Sequence, residues 1–239
     1  MNVNKRDELL RKAIADVRTW CAPSDTFVLT EKRTKRGVVR RKSHPDTYWI
    51  ELFDPSSDIT RDDAKQFLVS FQLANRVGWN YADVAAVIKR QRMRPTFNPQ
   101  VDIPGLAEEL RTCNPRNTLQ TSAASKIAVF SKPIANVFIW DSFARASVTE
   151  RQRGTPVDRD YRTFYAACEC ALEDERKTSD FRRAVELLER EFLSGGGIMA
   201  NRSKVPFEFI ERRLLDKLMF WEGSSLRKLA PDEARGSVP

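Results

Sequence analysis

Residues 121–149, TSAASKIAVFSKPIANVFIWDSFARASVT, hold two helix-forming segments joined by an apolar linker that contains Pro133. Small side chains open the first segment and are followed by Lys126, and Asp141 precedes the second segment. The apolar residues on both sides of the proline predict that both segments are anchored in one hydrophobic core. Charged groups in such surroundings are functional candidates, so Lys126 and Asp141 are the first pair to consider as a chemical site.

The composition predicts a mainly helical, basic protein with one substantial core. Of its 239 residues, 41% are hydrophobic and 31% are charged, and only nine are glycine. A chain of this length can bury a core of its own, and its residue types favour helix over sheet. The excess of 41 Lys and Arg over 33 Asp and Glu gives a net charge of +8. This charge indicates a polyanion as partner, and a basic but inert surface is the simple alternative.

The cysteines indicate reduced thiols rather than a metal site or a disulfide scaffold. Their spacing fits neither a zinc site nor an iron-sulfur cluster, with thiols at Cys21, Cys113, Cys168 and Cys170. No window approaches the roughly 20 apolar residues that cross a bilayer, and the first residues lack the apolar core of a signal peptide. We therefore expect a cytoplasmic monomer, nucleoid-associated if prokaryotic, with no cofactor, no metal and no membrane partner.

Residues 1–58 are predicted to form an N-terminal helix followed by a small, basic, β-like arm. Apolar residues recur at helical spacing over residues 5–20, and the β-like runs TFVLT, GVV and TYWIELF follow within residues 26–53. Seven cations lie in the arm: Lys32, Arg33, Lys35, Arg36, Arg40, Arg41 and Lys42. We interpret them as contacts to a DNA phosphate backbone, and a solvated loop is the open alternative.

Residues 59–222 are predicted to form the helical domain. It begins with a helix from Thr60 to about Arg76, and a second helix runs from about Tyr81 to the stop at Pro95. Basic residues at the end of the second helix are candidates for further DNA contacts: Arg90, Arg92 and Arg94. Later helices are predicted at about 105–113, 142–150, 158–177, 179–194 and 205–222, and residues 223–239 are predicted to be a disordered polar tail.

The turn between the first two of these helices is polar and aromatic at once. Asn75, Arg76 and Trp79 are candidates to fill the space that an extruded base leaves in a DNA duplex. Helix capping is the more ordinary role for such residues.

The small residues before Lys126 leave a similar choice. Thr121, Ser122 and Ser125 are candidates to contact a phosphate, because the amides at a helix start point outward without partners. Close packing of two helices requires the same small side chains.

The order of these features resembles the helix-hairpin-helix superfamily of DNA glycosylases, and particularly its 8-oxoguanine-glycosylase-like branch. Two motifs within residues 121–149 carry the resemblance: S-K-x-x-x-F, beginning at Ser125, and I-W-D-S, beginning at Ile139. In that branch a lysine follows the hairpin and an aspartate begins a later helix. The family's L-P-G-V-G hairpin is replaced here by residues 118–124, TLQTSAA, which contain no glycine.

The resemblance implies that Lys126 is the nucleophile and Asp141 the catalytic aspartate of a helix-hairpin-helix DNA glycosylase. Cleavage of an N-glycosidic bond builds positive charge on the sugar, which a carboxylate at Asp141 can stabilise. A desolvated Lys126 amine can attack the sugar carbon and form a Schiff base, after which elimination nicks the strand. Apart from the resemblance, Asp141 fits a helix cap and Lys126 fits a solvated cation.

Three functions follow as hypotheses. The first is a DNA glycosylase, with or without lyase activity, that excises a modified or damaged base from double-stranded DNA in repair or in anti-phage defence. The second is a non-catalytic helix-hairpin-helix-like module that binds nucleic acid, and the third is a helical protein that binds an acidic partner. Loss of binding with rising salt separates the first two from the third, and catalysis separates the first from the second.

Overall fold

The computed structural model describes residues 3–34, 37–74, 78–157, 160–194 and 205–229. Within these ranges the chain forms ten helices and one two-stranded sheet, so the predicted mainly α fold class is confirmed. The helices are α1 (Val3–Trp20), α2 (Asp46–Leu52), α3 (Arg61–Ser70), α4 (Tyr81–Arg92), α5 (Pro99–Thr112), α6 (Thr121–Ser131), α7 (Ser142–Arg151), α8 (Tyr161–Arg176), α9 (Ser179–Ser194) and α10 (Phe207–Leu229), and the strands are β1 (Val28–Thr34) and β2 (Gly37–Ser43).

The core forms where the apolar faces of these helices meet. In α1, the buried residues Leu9, Leu10, Ala13 and Val17 recur at helical spacing, and the helix packs along α10. Helix α10 also packs on α7, α5 packs on α6, and α3 packs on α4. The first and last described helices therefore lie side by side.

Aromatic rings fix helix α6, which carries Lys126, to helices α2 and α3. The ring centroids of Trp49 and Phe67 lie 5.2 Å apart, and those of Phe67 and Phe130 lie 5.9 Å apart, both pairs in edge-to-face geometry. Such pairs contribute about 0.5–1.5 kcal/mol each beyond the area that they bury. Because all three rings are fully buried, they hold α6 firmly in place.

Helix α10 crosses the first turn of α7 at Gly223. A Cβ atom at this position would lie 2.0 Å from the carbonyl oxygen of Phe143, so only glycine allows the two backbones to approach so closely. The rings of Phe143 and Phe220 pack beside the crossing, with centroids 4.9 Å apart. The crossing therefore fixes the start of α7 against α10.

The basic arm is an antiparallel hairpin. Strands β1 and β2 pair from Val28 opposite Ser43 to Thr34 opposite Gly37. Lys35, Arg36 and the side chains of residues 30–41 lie outside the described part of the structure. The Lys42 ammonium lies over the ring of Phe27, 3.3 Å from its centroid, which orders the base of the hairpin.

The run TYWIELF, predicted to be β-like, is helical instead and forms α2. Pro45 precedes the helix and Asp46 occupies its first turn, both common at helix starts. The fully buried residues Trp49 and Phe53 are one helical turn apart. The aromatic and β-branched residues favoured a strand, but burial of one helical face in the core overrides that preference.

Several predicted helix ends are corrected. Helix α3 ends at Ser70 rather than near Arg76, because Gln72 adopts a left-handed conformation with φ of 58°. Helix α5 begins at Pro99, where Asn98 caps it, rather than at about residue 105 as the sequence predicted. Helix α10 continues to Leu229, so residues 223–229 belong to it and not to a tail. Residues 195–197 and 230–239 lie outside the described ranges.

The hairpin between α5 and α6 occupies residues 113–120, so the small residues from Thr121 onward already belong to α6. Asn117 takes the left-handed conformation there, with φ of 50°. The side chain of Asn114 closes the turn by accepting from the amide of Arg116 at 3.0 Å and donating to the carbonyl of Thr118 at 3.3 Å. Asparagine tolerates left-handed geometry better than other non-glycine residues, so this tight hairpin forms without glycine.

Candidate active site

Lys126 and Asp141 line one cleft of about 630 Å³. This volume falls within the usual range of ligand pockets, about 300–1,000 Å³. The other lining residues come from α1, the end of α3, the linker before Asp141, the start of α7 and α10. Their lining residues are Asp16, Trp20, Ser70, Phe71, Gln72, Ile139, Ser142, Phe143, Ala144, Arg213, Asp216, Lys217, Phe220 and Trp221.

The Lys126 side chain is almost fully buried, with 9% of the residue exposed. Its ammonium donates a hydrogen bond of 2.8 Å to the hydroxyl of Ser122, one turn earlier in α6. Burial lowers the pKa of Lys126, while the negative charges of Asp141 and Asp216 act in the opposite direction. Lys126 is therefore not the solvated cation that its sequence also allowed. Its amine is partly desolvated, as a nucleophilic amine must be.

Asp141 caps helix α7 and lines the cleft at the same time. Its Oδ1 accepts hydrogen bonds from the amides of Phe143 and Ala144, each of 2.8 Å. Both bonds use Oδ1, and within the described part of the chain no donor engages Oδ2. The carboxylate therefore lies at the positive end of the α7 dipole. Capping and a role in the site are therefore compatible, because the cap holds the carboxylate in a fixed orientation.

A hydroxyl joins the helix of Lys126 to the linker before Asp141. Ser125 is completely buried, and its hydroxyl donates to the carbonyl of Ser122 at 3.1 Å and accepts from the amide of Trp140 at 3.0 Å. The predicted phosphate contact of Ser125 is therefore corrected, because a buried side chain cannot reach DNA. Ser125 instead fixes the distance between the two elements that carry Lys126 and Asp141. Ser122 and Thr121 are half-buried at the start of α6.

Aromatic rings form much of the cleft wall. They belong to Trp20, Phe71, Phe143, Phe220 and Trp221. The indole nitrogen of Trp221 donates to Asp16 at 3.1 Å, and the Lys217 ammonium lies 4.8 Å from the ring centroid of Trp20. Flat apolar faces with a few polar groups at their edges are the arrangement that binds a planar, polar ligand such as a nucleobase.

Charged residues of α10 also line the cleft, and they were not among the candidates identified from the sequence. The Arg213 guanidinium pairs with Asp46 and with Asp216, and Lys217 lies on the next residue of the helix. Burial lowers the pKa of Lys217. A detectable signal was present, since Arg213, Asp216 and Lys217 recur at helical spacing in an otherwise apolar run, RLLDKLMFW, that begins at Arg213. Charges on the apolar face of a helix indicate buried pairs.

The three arginines predicted to contact DNA at the end of α4 lie in different surroundings. Arg92 is buried, with 9% exposed, and its guanidinium donates to the carbonyl of Asp54 at 2.9 Å, so it is corrected to a structural role. Arg94 pairs with Asp102 at 3.1 Å and with Glu109 at 3.0 Å. Arg90 also contacts Glu109, but its side chain remains 62% exposed and could contact a phosphate.

Trp79 is corrected from a candidate for insertion into DNA to a core residue. Only 5% of it is exposed, and its indole nitrogen donates to the carbonyl of Leu73 at 3.0 Å. A buried ring with its polar atom satisfied cannot enter a duplex without leaving the core. Asn75 and Arg76 lie outside the described residues. Gln72, exposed and left-handed, lies at the cleft instead.

Two broader properties of the chain complete the description of the site. No described helix is both long and apolar enough to cross a bilayer. Among the described residues, no group of His, Cys, Asp and Glu has the arrangement of a metal site.

Comparison of the chain with protein-family models, with curated proteins and with solved structures gives no match.

Proposed function

We propose that this protein is a DNA glycosylase that excises a modified or damaged base, with Lys126 as the nucleophile and Asp141 as its electrostatic partner. The observation that carries the proposal is the convergence of a buried amine and a capped carboxylate in one aromatic-walled cleft. The two residues come from different helices across the Pro133 linker, so they meet only through the fold. The motifs at Ser125 and Ile139 that resemble the glycosylase superfamily point to the same pair.

The chemistry assigns a separate task to each residue. As the glycosidic bond lengthens, positive charge grows on the sugar, and the Asp141 carboxylate stabilises it. The Lys126 amine forms a bond to C1′ while the base departs with the bonding electron pair and takes up a proton. The sugar ring opens to a Schiff base, loss of a C2′ proton to water follows, and the 3′ phosphate leaves.

The cleft walls support an extruded base as the ligand. A base that has left the duplex needs stacking partners to replace its neighbours, and Trp20, Phe71 and Trp221 offer ring faces at the cleft. Asp16 and Lys217 offer an acceptor and a donor for the base edge. Base and sugar together fit a cleft of about 630 Å³.

Charge supports DNA as the macromolecule that delivers the base. The net charge of +8 favours a polyanion, and the sequence of the β1–β2 hairpin carries basic residues suited to a phosphate backbone. Replacing Arg40, Arg41 and Lys42 by alanine is expected to weaken duplex binding and to flatten its salt dependence by about one unit of log–log slope per lost phosphate contact. An unchanged slope would exclude the hairpin from the interface.

The decisive experiment is borohydride trapping on duplexes that carry oxidised, alkylated, deaminated or phage-type modified bases. Wild type is compared with Lys126→Gln and Asp141→Asn, and Lys132→Gln serves as the control. Lys132 belongs to the same region, but its ammonium donates to the carbonyls of Arg92 and Arg94, at 2.8 and 2.5 Å, and does not line the cleft. The control variant is therefore expected to form the adduct normally.

The outcomes separate the possible functions. A covalent adduct that depends on Lys126 supports a glycosylase with lyase activity. Base release that survives Lys126→Gln but not Asp141→Asn identifies a glycosylase that uses water as the nucleophile. DNA binding without base release on any substrate would favour the non-catalytic module, and full activity in both variants would remove the site from consideration.

A further inference from the structure

Asp46, Arg213 and Asp216 form a buried chain of ion pairs, and Arg213 and Asp216 also line the cleft of the proposed catalytic pair. The Arg213 guanidinium donates from Nε to Oδ2 of Asp46 at 2.8 Å and from Nη1 to Oδ2 of Asp216 at 3.1 Å. Asp46 belongs to α2, whereas Arg213 and Asp216 belong to α10. All three side chains are almost completely withdrawn from water. The arginine thus shares its charge between two carboxylates, and only one of them, Asp216, lines the cleft.

Asp216 contacts the linker that leads to Asp141 and lines the same cleft as Lys126. Its Oδ1 accepts from the amide of Ile139 at 3.4 Å, and Ile139 lies two residues before Asp141 in the linker. Its negative charge also acts on the amine of Lys126. One carboxylate therefore contacts the backbone that leads to Asp141 and faces the Lys126 amine.

We propose that Asp216 is a positioning residue for Lys126. Its buried carboxylate holds the linker through the Ile139 amide, and its negative charge influences whether the Lys126 amine keeps its proton. This inference rests on the proposed function for its catalytic meaning. An amine beside a carboxylate retains its proton to higher pH than an amine without such a neighbour. While it is ionised, Asp216 thereby keeps the Lys126 amine protonated to higher pH, which opposes its becoming a free nucleophile.

The charges around the two groups come from several elements. Lys126 faces Asp141 at the start of α7 and faces Arg213, Asp216 and Lys217 of α10. Asp216 also faces neighbours outside the cleft, namely Arg212 of α10 and Tyr161 and Cys168 of α8. The two cations of α10 disfavour the charged form of Lys126, and the two carboxylates favour it.

The state of Asp216 is itself sensitive to pH. Burial raises the pKa of Asp216 to about 6, although Arg213 and the Ile139 amide favour the ionised form. As pH falls through this value, the carboxylate becomes neutral and Lys126 loses one of its two negative neighbours. Since the hydrogen bond from Ile139 can be accepted by the neutral group as well, the change alters charge without removing the contact.

A charge-removing variant separates positioning from simple support of the fold. Asp216→Asn retains an oxygen that can accept from Ile139, so the linker keeps its contact while the negative charge is lost. Glu222→Gln is the matched control, because Glu222 is a buried carboxylate of the same helix that pairs with Arg151 and Ser147 away from the cleft. The control removes an equivalent charge without changing what Lys126 faces.

The experiment follows the titration of Lys126 by NMR in protein labelled at the lysine ε-carbon, with Lys126→Gln providing the assignment. Asp216→Asn is expected to lower the pKa of Lys126 by about one unit, whereas Glu222→Gln leaves it unchanged. In wild type, the Lys126 signal should also show a step near the pKa of Asp216. This second measurement needs no variant, so it decides the matter if Asp216→Asn fails to fold.

The outcomes distinguish this inference from the proposed function, because the titration requires no DNA. An unmoved Lys126 titration in folded Asp216→Asn, or a wild-type signal without a step, would overturn the positioning role even if base release is observed. A shifted titration in a protein that releases no base supports the coupling of Asp216 to Lys126 while rejecting the glycosylase. A shift accompanied by borohydride trapping that extends to lower pH supports both.

Discussion

Replacing Gly223 with alanine should destabilise the protein by forcing helix α10 away from helix α7. The new methyl group would lie 2.0 Å from the carbonyl oxygen of Phe143 and 2.6 Å from the carbonyl carbon. Carbon and carbonyl oxygen normally approach to no closer than about 3.3 Å. Because the obstacle is backbone rather than a flexible side chain, one helix must move by more than about 1 Å.

Two opposing effects set the size of the loss. Overpacking of this kind costs about 1–3 kcal/mol, and a clash with backbone lies at or above the upper end of that range. Alanine returns about 0.5–1 kcal/mol, because glycine loses more conformational freedom in a helix. The clash outweighs that gain, so the free energy of unfolding should fall by about 2 kcal/mol. For a chain of this size, such a loss lowers Tm by about 4–8 °C.

Thermal and urea unfolding followed by circular dichroism measure the effect directly. Gly105→Ala provides the control, since Gly105 lies within α5 and a Cβ atom there would meet no neighbour within 4 Å. That variant should be as stable as wild type or slightly more stable. If Gly223→Ala matches Gly105→Ala, then the two helices do not approach as closely as the structure shows, and the reasoning fails.

Three further predictions concern separate parts of the molecule. Arg92→Ala should lower the free energy of unfolding by about 1–3 kcal/mol, because the guanidinium is buried against the Asp54 carbonyl, and it should leave duplex affinity at fixed salt unchanged; a folded variant with weakened DNA binding would contradict the structural role. Asn117→Val should cost about 1–2 kcal/mol through its left-handed conformation, whereas Asn117→Gly should be nearly neutral, as urea unfolding would show, and equal loss in both variants would point to a side-chain contact instead. Raising the pH from 4 to 7 should destabilise wild type relative to Asp216→Asn by roughly 2–3 kcal/mol, because the pKa of Asp216 is raised from 3.8 to about 6 by folding. The stability from the neutral group is complete below pH 3.8 and is lost through pH 6, so parallel stability profiles would refute the assignment.

The parts of the site that the sequence predicted are those determined by neighbouring residues. Lys126 and Asp141 lie close in the chain, and the motifs that begin at Ser125 and Ile139 identify both residues as candidates. The cap at Asp141 was also predictable from its place before a helix start. Local patterns thus predicted that Lys126 and Asp141 line one cleft and that Asp141 caps a helix.

The parts that the sequence did not predict depend on contacts between distant segments. Arg213 lies 167 residues from Asp46 in the chain, and nothing near either residue identifies its partner. The same limit applies to Arg92 and Trp79, which the sequence made candidates for contact with DNA but which packing against other segments buries. A hydrophobic pattern shows which residues are apolar, whereas the burial of a polar side chain depends on what packs over it.

The position of the cleft against α1 and α10 has a consequence for how its lining is assembled during synthesis. Asp16 and Trp20 enter the site from the first described helix, and Arg213 and Trp221 enter it from the last. The ribosome synthesises α1 before α10, and a domain can fold only as its segments leave the ribosome. Until α10 has left the ribosome, the cleft around Lys126 therefore lacks the charged residues and the aromatic rings that α10 contributes. The lining of the cleft, which comes from both α1 and α10, is therefore complete only once α10 packs on α1.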